Sequence, residues 1–250
     1  MSTSKYSDGE MVILRRLLDG PATAAELLTR TVMPGMSPDD TGAYLTSCLM
    51  RLRNSGKVIP APVCGQYALT SAVELVLRAD QRRPLAQMRA VAEDLVKIML
   101  PGAVRIEIAG SIRRQKQDCG DIEICALVTD GRLTEAFVRG AAQVIKSGPK
   151  YTQAIIDAPS TGPVTVDLFS TDDPTRWGLL FFIRTGSADF VKRALGYWKK
   201  ISDGGECRDL HLYKGSDTIV ATPEEDDVFR ALGIKPVAPE RRVPRECANG

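Results

Sequence analysis

The segment Asp121-Ile122-Glu123-Ile124-Cys125-Ala126-Leu127 sets the tightest limit on what this chain can fold into. Read as a strand, it points Ile122 and Ile124 to one face and Asp121 and Glu123 to the other. Two carboxylates then share a face. Acidic residues are poor strand formers, and like charges about 7 Å apart along a strand repel unless something positive sits between them. A divalent metal ion relieves that repulsion, and Mg²⁺, which commonly bridges one or two carboxylates to substrate phosphates, suits a strand end open to solvent. From these four residues alone, an exposed acidic face with no ligand is the simpler reading.

The flanking residues shift the balance toward a ligand. Arg105-Ile106-Glu107-Ile108-Ala109 alternates like a strand and runs into Gly110-Ser111-Ile112-Arg113-Arg114, after which Asp118-Cys119-Gly120 turns the chain into the acidic strand. Gly110-Ser111 can bring backbone N–H groups close to an anion, and Arg114 offers a planar donor fork for phosphate oxygens. Holding two ions roughly 3.5–4 Å apart for in-line displacement at phosphorus calls for a third carboxylate. Val164-Thr165-Val166-Asp167-Leu168-Phe169, a β-branched strand after a Gly162-Pro163 turn signal, supplies Asp167. Paired beside residues 121–127, it brings Asp167 to the same face.

At 250 residues, 44% hydrophobic and 26% charged, the chain has the composition of a soluble globular protein with one large or two small domains. A net charge of +2 does not by itself imply a nucleic-acid partner. No apolar run reaches the roughly 20 residues that span a bilayer, and residues 1–5 lack a signal-peptide stretch, so the expected location is the cytoplasm, away from membranes. Six cysteines form no CxxC pair, and Cys207 with His211 lacks the partners of a zinc site; they read as reduced thiols.

Residues 1–78 read as three helices and a hairpin. Met11, Val12, Leu14, Leu17 and Leu18 give a first helix that stops at Asp19-Gly20-Pro21. Thr23 with Glu26 forms a capping-box pattern opening a helix over 24–30. Ser37-Pro38 starts a third, with Tyr44, Leu45, Cys48, Leu49 and Leu52 on one face. Short strands at 57–59 and 66–69 flank the loop 60–65, and the whole resembles a winged helix, with Arg51, Arg53 and Asn54 exposed and the loop as wing. Ten basic and eight acidic residues in segment 1–83 leave DNA contact and a protein-contact or structural role equally open. The polar stretch 79–84 marks a domain boundary, and Leu85–Met99 reads as an amphipathic helix, through Leu85, Met88, Val91, Ala92, Leu95 and Ile98, that packs on the sheet after it.

Gly110-Ser111-x-Arg113-Arg114, six residues, Asp121-x-Glu123, and later Asp167 on a Val-Asp-Leu-Phe strand resemble the palm of the family X DNA polymerases. Thr185-Gly186-Ser187 is similar to that family's segment beside the incoming nucleotide, and 222–233 with Pro239-Glu240-Arg241-Arg242 to the end of its C-terminal subdomain. The resemblance covers about residues 85–245. It implies an α+β fold: a nucleotidyltransferase palm with a mixed β-sheet at 84–172 and a small thumb-like subdomain at 173–245, preceded by the winged-helix-like domain read at 1–78 from its own pattern. It assigns Asp121 and Glu123 to two Mg²⁺ ions, for which Mn²⁺ substitutes, and Asp167 to the catalytic one. Gly110, Ser111, Arg114 and Gly120 then hold the triphosphate, with Thr185, Gly186 and Ser187 beside the nucleotide. The implied partners are dNTP and primer-template or gapped DNA, and the implied state is a monomer. Arg113 is either a second donor or solvated. Lys192, Arg193, Lys199 and Lys200 around Tyr197-Trp198 fit phosphate contact and base stacking, or simply a solvated helix face.

The chain departs from the family pattern in three places. Glu123 stands where many relatives have Asp, which lengthens one metal-facing arm; Ile183-Arg184 replaces aromatics that crowd the sugar; and Val191 replaces an amide near the base. Neither a helix-hairpin-helix lyase pattern nor a BRCT-like pattern is read in these residues, so the resemblance does not carry lyase activity over. A nucleotidyltransferase acting without a template, on RNA or on a small acceptor uses the same metal site. A winged-helix DNA-binding regulator with an inactive C-terminal domain is the reading from another class, and the presence of all three carboxylates argues against it.

Overall fold

The computed structural model describes residues 6–28, 33–61, 63 and 65–243, and the chain divides between Gln81 and Arg82 into two compact units. In the first, α1 (Asp8–Leu17) begins with a capping box: the Glu10 amide donates to Ser7 Oγ at 3.3 Å and the Ser7 amide to Glu10 Oε2 at 2.8 Å. β1 (Ala22–Thr23) leads into α2 (Ala24–Leu28), opened by the expected Thr23–Glu26 pair at 2.7 and 3.2 Å. The helix expected to reach residue 30 is described to Leu28, since 29–32 lie outside the described residues. α3 (Pro38–Asn54) starts at Ser37, whose hydroxyl accepts from the Asp40 amide, and Pro38 sits in the first turn, where its missing N–H costs nothing.

β2 (Val58–Pro60) and β3 (Gln66–Leu69) pair antiparallel, with Val58 opposite Leu69. Of the loop read as a wing, Pro62 and Cys64 lie outside the described residues. Two elements go beyond the sequence expectation: β1, which joins β3 to give the order β1-β3-β2, and α4 (Ser71–Ala79). α4 is short, and only its burial of Val73, Val76 and Leu77 distinguishes it from a polar connection. Ile13, Leu14, Leu27, Leu45 and Leu52 form the centre of this unit's own core.

The second unit runs through β4 (Arg83–Pro84), α5 (Leu85–Met99), β5 (Arg105–Ile108), α6 (Gly110–Arg113), β6 (Asp118–Cys119), β7 (Asp121–Leu127), α7 (Arg132–Gly140), β8 (Gln143–Lys146), β9 (Tyr151–Ala158) and β10 (Gly162–Thr171). Its five-stranded sheet has the order β5-β7-β10-β9-β8; β7 and β10 are parallel and the other pairs antiparallel, so the sheet is mixed and the class α+β. α5 packs Met88, Val91, Ala92 and Met99 into one cluster with Ile106, Ile122, Ile124, Val166 and Leu168. Ile98, assigned by periodicity to that face, is 76% exposed at the helix end. Gly162-Pro163 is not a turn but the start of β10; the reversal comes earlier, where the Thr161 amide donates to the Ala158 carbonyl.

α8 (Trp177–Thr185) and α9 (Ala188–Ile201) follow, then the small sheet of β11 (Cys207–Arg208), β12 (His211–Lys214) and β13 (Thr218–Val220), and α10 (Glu225–Ala231). Leu179, Phe182, Trp198, Val228 and Phe229 form their shared core. Trp198 is therefore no stacking surface for a base: it is 4% exposed, and its indole N–H donates to the Tyr213 carbonyl at 3.0 Å. The four cysteines among the described residues are free, and no helix there is long and apolar enough to cross a membrane.

α8 meets the segment before α10 at Gly178, whose N–H donates to the Thr222 carbonyl at 2.8 Å. A Cβ on Gly178 would overlap the Glu224 carbonyl, and both partners are backbone. Gly178→Ala is expected to cost about 1–3 kcal/mol of unfolding free energy. Gly196→Ala, in α9 with nothing within 4 Å of its Cβ, is expected to add about 0.5–1 kcal/mol. Urea midpoints of the two variants against wild type measure both.

Candidate active site

The parallel pairing of β7 and β10 places Asp167 directly opposite Glu123, with Asp121 two residues back on the same face, opposite Thr165. The reverse face explains the register. Ile122, Ile124, Val166 and Leu168 are all fully buried there, and a slip of one residue would turn the apolar set outward.

Crowding three acids raises the free energy of their ionised forms. Burial, then the charges of Asp121 and Asp167, push the Glu123 carboxyl up to about 7. Burial and Asp121 push Asp167 up to about 6. Arg114 and Arg184 oppose the shift at Glu123. Asp167 also accepts hydrogen bonds from Gln153 and from the Tyr151 hydroxyl, the latter at 3.1 Å. Tyr151's own hydroxyl is pushed well above its ordinary value, first by burial and then by Asp167, and so remains a donor. Among the described residues, no group of three or more His, Cys, Asp or Glu side chains is already gathered as a metal cage. The donor set nevertheless fits a hard divalent cation, because it is all carboxylate and its mutual repulsion is what a cation would relieve.

Gly110 has φ +61°, and a Cβ there would overlap the Glu123 carboxylate, so only glycine lets the chain pass this close to the acids. The next side chain, Ser111, is buried with its hydroxyl unpartnered in the protein. Arg114 donates through Nη1 to the Thr185 carbonyl at 2.5 Å, while its buried Nε has no partner. Burial presses its guanidinium below the ordinary value, and the charges of Glu123 and Asp121 counter this. Gly120 meets only Arg82, at 3.7 Å from a built Cβ, so nothing in the packing demands glycine there.

Arg113 is neither free nor solvated. It makes a two-pronged bond to Glu225 at 2.8 Å in each arm, donates to Thr185 Oγ1 at 2.5 Å, and lies 3.8 Å over the Phe181 ring. Arg242 binds the same carboxylate at 2.5 and 3.1 Å. Thr185 is fully buried in this network, and Ser187 caps α9 by accepting from the Phe190 amide. Their hydroxyls serve the fold, and Gly186 packs close to Val191 and Phe190. Lys192, Arg193, Lys199 and Lys200 are exposed on α9 beside the half-exposed Tyr197, with Arg193 paired to Asp189. Sequence reasoning does not reach Tyr151, and it places Glu225 and Arg242 only within the segments likened to the end of the C-terminal subdomain, with no role for either side chain. A carboxylate 112 residues from its partner Arg113 leaves no local signal.

No family model and no curated protein matches this chain. Among solved structures, it is similar to a Leishmania infantum polymerase beta in a ternary P/T complex, at a TM-score of 0.59 and 16% identity, over 95% of this chain and 100% of that one. The likeness is one of fold.

Glu225 gives the network a pH signature. Burial alone would raise its carboxyl, but the bonds from Arg113 and Arg242 outweigh burial and hold it below its ordinary value of 4.5. A depressed carboxyl contributes stability that is complete above its unfolded value and is lost as pH falls through the folded one. Glu225→Gln, which leaves two guanidinium groups without their anion, is expected to cost about 3–5 kcal/mol near neutrality. That difference from wild type should shrink steadily below about pH 4.5. Denaturant unfolding of both proteins across pH 3–7 checks it; a gap that does not narrow contradicts the assignment.

Proposed function

We propose that this chain is a DNA-directed DNA polymerase of the family X type, adding deoxynucleotides to a primer 3′-hydroxyl in gap filling, repair or replication. One observation carries the reading: Asp167 faces Glu123, with Asp121 on the same face, beside a buried Ser111 hydroxyl and an Arg114 Nε that have no partner in the protein. Unpartnered buried donors next to concentrated negative charge fit a ligand that brings phosphate oxygens and cations together. A polymerase beta with the same fold is consistent with that ligand.

In this reading Asp121, Glu123 and Asp167 hold Mg²⁺, or Mn²⁺ in its place. When bound, the metal lowers the pKa of the attacking hydroxyl and neutralises charge on the leaving pyrophosphate. The Gly110-Ser111 backbone and the Ser111 hydroxyl hold the triphosphate, and Arg114 stabilises its charge. Arg113, committed to Glu225, sets the position of Thr185 rather than touching substrate. Lys192, Lys199 and Lys200, with Arg193, supply phosphate contacts along α9.

The first unit is read as a winged helix from its order α1-β1-α2-α3-β2-β3-α4 and its three-stranded sheet. Arg53 and Asn54 are its exposed polar groups at the end of α3, whereas Arg51 is also exposed but tied to Glu10 at 3.2 Å. If this unit neutralises DNA phosphates, a chain lacking residues 1–78 shows a shallower dependence of DNA affinity on salt, by about 0.9 for each phosphate that is no longer neutralised. An unchanged slope assigns the unit to another partner.

Extension of a labelled primer tests the enzymatic reading, on gapped duplex and on single strands, with dNTP and Mg²⁺ or Mn²⁺. Wild type is expected to extend the gapped primer, and Asp167→Ala to lose on the order of a thousandfold, the scale of removing a group that stabilises transition-state charge. Equal extension by the two proteins would sink it, and extension confined to single-stranded ends would favour an untemplated transferase.

A further inference from the structure

Asp167 is held from the neighbouring strand in a way the family resemblance does not describe. In the antiparallel pairing of β9 with β10, Gln153 stands opposite Asp167 and Tyr151 opposite Phe169. Tyr151 and Phe169 are stacked, with ring centroids 4.9 Å apart and planes 12° from parallel. Residues two apart on a strand share a face, so the Tyr151 hydroxyl reaches diagonally over this stack to Asp167 Oδ1 at 3.1 Å. Each ring of the stack also meets a cation: Arg184 lies 3.7 Å over the Phe169 ring, and Lys146 Nζ is 5.0 Å from the Tyr151 ring. A tyrosine clamped in this way has little rotamer freedom, and its hydroxyl position is fixed by the sheet.

We propose that Tyr151 is a positioning residue for the third carboxylate: it fixes the plane of Asp167 so that the carboxylate meets its cation already oriented. The proposal rests on the polymerase reading for the cation's identity. The distinctive element is the hydroxyl and not the ring. Tyr151→Phe keeps the Phe169 stack and the Lys146 contact and removes only the bond to Asp167, while Tyr151→Leu removes the stack as well.

Two measurements on the full-length chain test this. The first is Mn²⁺ binding by electron paramagnetic resonance, with dNTP and a dideoxy-terminated primer so that no reaction occurs. The second is steady-state primer extension. Loss of a hydrogen bond that orients a metal ligand typically weakens metal affinity or activity about tenfold or more. Tyr151→Phe is therefore expected to bind Mn²⁺ about tenfold more weakly and to lower kcat by a similar factor, with KM for dNTP and the urea midpoint both near wild type. Tyr151→Leu should lose at least as much and also unfold earlier. Wild-type Mn²⁺ affinity and kcat in Tyr151→Phe, beside loss of both in Asp167→Ala, would overturn this role and leave the polymerase reading standing. Equal Mn²⁺ binding by wild type, Tyr151→Phe and Asp167→Ala would remove the polymerase reading and this proposal together.

Discussion

The facing of Glu123 and Asp167 across two parallel strands is the constraint around which the second unit is organised. Like charges directly opposite in a sheet are destabilising by roughly 0.2–1 kcal/mol, and partial burial of both adds to that. What holds the register is on the other side of the same strands. Burying Ile122, Ile124, Val166 and Leu168 is worth about 1.5–3 kcal/mol each, an upper estimate that still exceeds the repulsion several-fold. α5 covers that apolar face, so the helix that never touches the acids is what allows them to stand together.

The charge left on the polar face is distributed rather than cancelled. Arg114 and Arg184 both lower Glu123, yet neither forms an ion pair with it, and the carboxyl still sits near 7. Arg113, adjacent in sequence to Arg114, is drawn away by Glu225. Had it faced the acids as well, their repulsion would be largely neutralised and the attraction for a divalent cation reduced. The Arg113–Glu225 pair thus keeps the site acidic while fastening α6 to α10, and Arg242, which binds the same carboxylate and whose carbonyl accepts from the Ser187 amide, ties it to the segment before α9.

Legibility in the sequence followed the range of the forces. Period-two alternation at 121–127 and the apolar spacing of 85–99 are local, and both elements have the expected bounds. Capping at Thr23 and Ser37 is also local, spanning three residues, and it too was readable. The segments 132–140, 143–146 and 151–158 were not readable as α7, β8 and β9, because their pattern is mixed and their partners lie elsewhere in the sheet. Tyr151 is the sharpest case. Its relation to Asp167 exists only once the β9–β10 register is set, and a shift of one residue would put it on the opposite face. Trp198 failed in the other direction: an aromatic among lysines reads as a ligand surface, but its side of α9 is the side that meets the core.

Arg184 shows how a departure in sequence is tied into this site. At 183–184 this chain has Ile and Arg, and the Arg184 guanidinium lies 3.7 Å over the Phe169 ring of β10. Cation and ring are both present beside Asp167, supplied by α8 and β10. The stack restrains a long, flexible side chain, and the buried Nε shows that it is held inside the site rather than extended into solvent. A charge fixed in that position bears on Glu123 and Asp167 at once. The acids, their counter-charges and the hydroxyl that orients Asp167 therefore form one electrostatic unit, whose geometry is set by sheet register and aromatic stacking before any ligand arrives.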